Sequence, residues 1–151
     1  MNIKEGIEKR FSARAFTSEV PSMEIIKEIL TTANSAPSGG NIQPWKVYVL
    51  NQDSKTKLAE QTLHNFDTGV QEEIEYDIYP KPLGDEYKRR RYECGADMYK
   101  ALSIEKEDLD SRFKQIRENY NFFGAPLGMI ITIDKSFGKN GWGHVGMFLE
   151  N

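Results

Sequence analysis

Arg10-Phe11-Ser12-Ala13-Arg14 sets two guanidiniums and a hydroxyl at alternate positions. In an extended segment, period two carries all three to one side. Two charge-assisted forks with a short donor between them suit a terminal phosphate. Phe11 and Ala13 would then face the core and hold the strip in place. The same residues also read as solvated charges beside the C-terminal dipole of a short preceding helix. The pentapeptide alone does not separate the two.

Ala36-Pro37-Ser38-Gly39-Gly40-Asn41-Ile42-Gln43-Pro44-Trp45 is the second candidate. Adjacent glycines let the backbone take positive φ and approach a ligand closely, and Pro37 and Pro44 stiffen the loop at both ends. Asn41 and Gln43 are two apart and can point the same way from an extended stretch. Each carboxamide offers donors and an acceptor, a match for a heteroaromatic ring edge of mixed carbonyl and N–H groups. The alternative is an ordinary helix-to-strand loop in which Asn41 makes local turn bonds.

Other chemistry is poorly supplied. Cys94 is the single cysteine, and His64 and His144 are far apart with no metal-binding spacing, so neither a thiolate nucleophile nor a metal site is expected. Lys88-Arg89-Arg90-Arg91 lies between Tyr87 and Tyr92. It reads as a nucleic-acid contact with stacking tyrosines, as an attractor for dinucleotide phosphates or an anionic aromatic acid, or as a solvated helical face paired with Asp85, Glu86 and Glu93.

These residues need elements to position them. Ile3 and Ile7, one turn apart, mark a short helix over residues 2–9, followed by an irregular or extended stretch over 10–20. Ser22 caps a helix whose apolar stripe is Ile25, Ile26, Ile29, Leu30 and Ala33. Trp45–Leu50 reads as a strand. Asp53 or Ser54 caps a helix over roughly 54–66. Residues 66–105 read as an excursion of short helices and loops rather than a second domain. Asp108 opens a helix with Leu109, Phe113 and Ile116 on one face. Leu127–Ile133 is a nearly continuous apolar run that suits a buried strand, and Gly141-Trp142-Gly143-His144 leads into an apolar helix. Helices flanking buried strands predict an α+β or α/β fold.

Composition narrows the field. The 151 residues are 38% hydrophobic and carry a net charge of −3, enough apolar surface for a core and the wrong sign for a general nucleic-acid binder. No run reaches the apolar length of a membrane span. The N-terminal residues lack a signal-peptide core, and one unpaired thiol fits a reducing compartment, so a cytoplasmic location is expected.

Taken together, Arg10-x-Ser12-x-Arg14-x-Phe16, a helix, and Ala36-Pro37-Ser38-Gly39-Gly40-Asn41-x-Gln43-Pro44-Trp45 followed by a strand closely resemble the FMN-dependent nitroreductase family. Arg89-Arg90-Arg91 leading to Tyr99-Lys100-Ala101-Leu102, and Asn121 through Gly128, resemble its nitroarene reductase subgroup. The resemblance implies an antiparallel-rich α+β sheet flanked by helices, with FMN at a homodimer interface. It assigns Arg10, Ser12 and Arg14 to the FMN phosphate and ribityl chain, with Phe11 offering backbone only. It places Pro37, Ser38 and Gly39 against the cofactor of the partner subunit, and Asn41 and Gln43 at the flavin edge.

The activity implied is ping-pong hydride transfer from NAD(P)H through FMN to nitroaromatics, quinones or similar flat acceptors, with no nucleic-acid or membrane partner. The cofactor carries that chemistry, which agrees with the scarcity of His and Cys. Phe66, Tyr79, Tyr87, Tyr92, Tyr120, Phe122 and Phe123 are candidates to shape an acceptor slot. The alternatives are a flavin-binding or dimerising fragment without turnover, and a flavoenzyme of the same fold performing reductive dehalogenation or flavin breakdown. The resemblance further implies a single domain over residues 1–151 that lacks its C-terminal part, because relatives extend the helix beginning near Gly141 and add strands and basic residues beyond it.

Overall fold

The computed structural model describes residues 2–70, 73–74 and 77–151. They pack as two compact units: residues up to Leu58 together with Gly124–Asn151, and Ala59–Phe123.

In the first unit, Asn2 opens helix α1 (Ile3–Lys9) through a reciprocal capping box. The Glu5 N–H donates to the Asn2 side chain at 2.9 Å, and the Asn2 N–H donates to the Glu5 carboxylate at 3.1 Å. Helix α2 (Met23–Ala33) starts as expected at Ser22, whose hydroxyl accepts the Ile25 N–H. Only part of its stripe is covered. Ile26 and Ala33 are buried and Leu30 packs on the core, while Ile25 and Ile29 stay exposed.

Strand β1 (Trp45–Leu50) pairs antiparallel with β2 (Gly128–Ile133), Trp45 opposite Ile133 and Leu50 opposite Gly128. The apolar run of β2 suggested a fully buried strand, yet its residues alternate between partly buried and exposed after Gly128. Helix α6 (Gly138–Glu150) packs on one face of the two-stranded sheet, while Ile130 and Thr132 on the other are exposed, so alternation replaces full burial. The helix begins ahead of the expected Gly141 and crosses the covered face.

Trp45, Phe148, Ala33 and Ala36 form the core, with the rings of Trp45 and Phe148 5.0 Å apart and tilted by 31°. Helix α6 approaches β2 closely at Gly141, where a Cβ would fall 2.5 Å from Ile133 Cδ1 and 2.9 Å from Phe137 Cβ.

Helix α3 (Gln52–Asp67) is capped by Asn51, whose side chain accepts the Ser54 N–H at 2.9 Å. The cap therefore precedes the Asp53 or Ser54 expected from sequence; those residues already lie inside the first turn, and Asn is as strong a cap as either.

The second unit holds helix α4 (Asp85–Ala101) and helix α5 (Leu109–Arg117), the latter capped as expected by Asp108. Residues 85–101 form one continuous helix where short helices and loops were expected. Its own surface explains the length: Arg89 pairs with Glu93 at 2.8 Å, Arg90 with Glu86, and Lys88 with Asp85 at 2.9 Å, all at helical spacing.

Phe66 packs on Phe113 and Tyr120 with ring centroids 5.1 and 4.6 Å away. Thr62 donates its hydroxyl to the Tyr120 carbonyl at 3.0 Å. Arg117 grips Asp67 with a fork, Nε to Oδ1 at 2.8 Å and Nη2 to Oδ2 at 2.7 Å. That fork holds the Asp67 carboxyl below the usual aspartate range. No described helix is long and apolar enough to cross a membrane.

Two outcomes test this packing. Gly141→Val should overpack the α6–β2 contact and lose ~1–3 kcal/mol in a urea melt. Gly146→Ala, in the same helix with nothing within 4 Å, should instead gain up to about 1 kcal/mol. Because the Asp67 carboxyl is depressed, its pairing stabilises the fold fully above the unfolded aspartate value and is lost as pH falls through the lower folded value. The stability difference between wild type and Asp67→Asn should therefore shrink between about pH 6 and about pH 2; a difference constant across that window would contradict it.

Candidate functional site

Asn34, the C-terminal cap of α2, organises the glycine loop. Its side-chain oxygen accepts the Trp45 indole N–H at 2.9 Å, and its backbone carbonyl accepts the Gln43 side-chain amide at 3.0 Å. The Gln43 backbone N–H donates to Ser38 Oγ at 2.9 Å, and the Asn41 N–H to the Ser38 carbonyl at 2.8 Å. Thus Ser38, Gly39, Asn41 and Gln43 come together in one knotted turn.

The turn is not the extended stretch that would aim Asn41 and Gln43 alike. Gly39–Asn41 form a single 3-10 turn, and φ is +59° at Gly40, +55° at Asn41 and +45° at Gln43. Left-handed backbone suits glycine and is tolerated by asparagine; glutamine there costs strain, which its two hydrogen bonds within the loop offset. One amide of Gln43 is thereby committed to holding the loop, while the Asn41 side chain is exposed.

Gly39 lies over α6. A Cβ there would stand 3.4 Å from His144 Cε1. His144 Nδ1 is the buried side-chain polar atom without a partner among the described residues, a desolvation cost left uncompensated. Nothing in the spacing of the two histidines pointed to it. Asn34 was equally unmarked, although an Asn closing a helix pattern ahead of Pro37, with a tryptophan needing an indole acceptor beyond, is a usable signal.

Arg10, Phe11, Ser12 and Arg14 lie in an exposed segment, residues 10–17, without regular secondary structure. Arg10 is extended, and no described carboxylate pairs with it. Phe11 does not face the core as the alternating pattern required: it is 78% exposed. The reason is upstream, since α1 buries no residue and leaves Ile3 84% and Ile7 69% exposed, so no inner surface exists there for Phe11 to join.

The aromatic candidates divide. Phe66 and Tyr120 are taken up in packing, Tyr79 lies under the Arg91 guanidinium at 4.6 Å, and Tyr92 lines a cavity of about 650 Å³ in the second unit. Phe122 and Phe123 are consecutive left-handed residues, with φ of +53° and +52° ahead of Gly124 at +70°. Such backbone costs ~1–3 kcal/mol per residue.

The model of the Nitroreductase family matches residues 7–151. The chain belongs to the nitroreductase family. Among curated nitroreductases and their kin, it is 36% identical to 4-nitrobenzoate reductase of Nocardioides sp. (strain LMS-CY) over 84% of this chain and 53% of that protein. It is 29% identical to nitrobenzene nitroreductase of Ectopseudomonas oleovorans over 99% of this chain and 66% of that protein. The chain thus spans between about half and two thirds of the length of these relatives.

A shorter stretch is 40% identical to iodotyrosine deiodinase 1 of Mus musculus, covering 37% of this chain and 20% of that protein. Among solved structures, the FMN and NADPH-dependent nitroreductase NfnB from sphigopyxis sp. strain HMH superposes with a TM-score of 0.90 at 32% identity, covering 99% of this chain and 68% of that one. The expected α+β nitroreductase fold, helix-rich with a small antiparallel sheet, is borne out.

Asn34→Ala should leave the Trp45 indole N–H without its acceptor, at ~1–3 kcal/mol, read by urea denaturation followed through tryptophan fluorescence. Asn34→Asp, which keeps the acceptor, should recover most of that loss.

Proposed function

We propose that this chain forms the cofactor cradle of an FMN-dependent oxidoreductase that uses NAD(P)H to reduce nitroaromatics, and by the same route quinones and other flat acceptors. The observation that carries the reading is the glycine loop fastened by Asn34, with Gly40 left-handed and Asn41 presented outward. A loop held at both ends loses little entropy when a ring is laid against it.

The residues present fit FMN. Arg10 and Arg14, with the Ser12 hydroxyl, supply forked cationic donors for a phosphate from an exposed segment. Pro37, Ser38 and Gly39 supply close backbone approach, and Asn41 supplies a carboxamide for the ring edge. Gln43 contributes through its carboxamide oxygen, its nitrogen being bonded to Asn34. Bound FMN would take two electrons as hydride from NAD(P)H and pass them to the acceptor, which makes ping-pong kinetics the expected pattern. The chain's part is to bind and orient the cofactor and to hold its polar edge against fixed donors.

A homodimer is part of the proposal. Ile3 and Ile7, one turn apart on α1, are exposed, as is Phe11 beyond its end, and Trp142 and Leu149, two turns apart on α6, are exposed beside buried Val145 and Phe148. Large apolar side chains exposed near one another favour association. Reductive dehalogenation is the second reading, favoured by the iodotyrosine deiodinase match; the nitroreductase matches extend over far more of the chain and set the order of preference.

The test is flavin uptake and turnover. The chain reconstituted with FMN should be yellow, bleach with NADH or NADPH without oxygen, and recover its colour on addition of a nitroarene. Arg14→Ala should weaken FMN retention by about tenfold or more, the worth of one charge-assisted phosphate fork. A chain that takes up no FMN, or an Arg14→Ala variant with unchanged affinity, would contradict the assignment.

A further inference from the structure

The cavity of about 650 Å³ in the second unit lies along one face of α4, where Arg91, Tyr92, Gly95, Tyr99 and Lys100 recur at helical spacing, and is bordered by residues 103–106 and Arg112. Its size falls in the range of small-molecule sites. Its charge is opposite to that of the chain. Among the described residues, Arg91, Lys100, Lys106, Arg112 and the Asp85-paired Lys88 line it, with Glu105 as the acidic member, although acidic residues outnumber basic ones overall.

Two of these cations are held in place by neutral partners. The Arg112 guanidinium stacks 4.1 Å over the Tyr99 ring, and its Nε donates to the Glu105 carbonyl at 3.1 Å. The Arg91 guanidinium stacks 4.6 Å over Tyr79. Stacking fixes a guanidinium while leaving its charge unneutralised and its outer N–H groups available. Arg89 and Arg90, which do not line the cavity, are each paired with a carboxylate of α4, and Lys88, which does, is paired with Asp85. Among the described residues, Arg91 and Arg112 are thus the cavity cations that are fixed in place without a carboxylate partner.

Apart from Ser103, the remaining walls are apolar or aromatic. Gly95 has nothing within 4 Å of where a Cβ would stand, and Ala96, Ile104 and the Tyr92 ring complete the lining. A free inorganic anion has no use for such walls, and a neutral ring has no use for the cations. We propose that this cavity binds an aromatic carboxylate, its ring over Gly95 beside Tyr92 and its carboxylate toward Arg112 and the lysines. As a binding site it stands on the cavity alone and is independent of the oxidoreductase reading above.

The test needs no flavin. Titration calorimetry of the full chain with benzoate and with the neutral isostere benzamide should show benzoate binding about tenfold more tightly or better, with the preference shrinking as salt is raised. Lys100→Gln combined with Lys106→Gln should bring benzoate toward the benzamide value. Gly95→Leu, which fills the floor while favouring the helix, should weaken both ligands, with circular dichroism confirming that the helix is kept.

Equal affinity for the two probes, no binding of benzoate, or a benzoate preference untouched by the lysine changes or by Gly95→Leu would overturn the proposal. So would inorganic pyrophosphate binding more tightly than benzoate, which would give the cavity to the phosphates of the dinucleotide. A chain that takes up no FMN yet still prefers benzoate would keep this inference and remove the oxidoreductase reading.

Discussion

One asparagine sets the shape of the loop on which the candidate site depends. Asn34 ends α2, and its carbonyl and side-chain oxygen accept from Gln43 and Trp45 respectively. The first bond ties the far end of the loop back to its start. The second ties the loop to the core, because Trp45 is also the ring that packs on Phe148. The left-handed residues Gly40, Asn41 and Gln43 are held between these anchors. Without them the strain at Gln43 would be relieved by opening the loop, and Ser38, Gly39 and Asn41 would lose their mutual arrangement.

Charge is handled by a different device in the second unit. Helix α4 carries consecutive basic residues, and ion pairs at helical spacing absorb Lys88, Arg89 and Arg90. Such exposed pairs contribute little stability individually and chiefly explain why the helix runs unbroken from Asp85 to Ala101. Arg91 and Arg112 are instead immobilised by tyrosine faces, which orders them without neutralising them. Arginines are thus paired with carboxylates at positions 89 and 90 and laid on tyrosine rings at 91 and 112.

Much of this was legible in sequence where a local rule governed it. Ser22 and Asp108 cap their helices because short polar side chains accept orphan N–H groups whatever the surroundings, and β1 was marked by its own residue types. The family signature was legible as two spaced motifs. Two misread features were local, the α3 cap at Asn51 and the unbroken α4; the others depended on what lies across space. Phe11 alternates as an inward residue should, yet α1 covers no inner surface beside it. Asn41 and Gln43 look like neighbours on an extended strand, yet the Gln43 bonds to Asn34 and Ser38 bend the backbone into a turn. His144 under Gly39, and Arg112 on Tyr99, join residues distant in sequence, and no spacing rule links them.

The central claim is that the Asn34-fastened loop and the arginine strip together receive FMN. The most direct measurement is a titration of the isotopically labelled chain with FMN, followed by amide and arginine side-chain resonances. The account predicts that the Gly39, Gly40 and Asn41 amides and the Arg10 and Arg14 side chains shift together along one saturating binding curve. Saturable binding that leaves those resonances unmoved while others shift would contradict it.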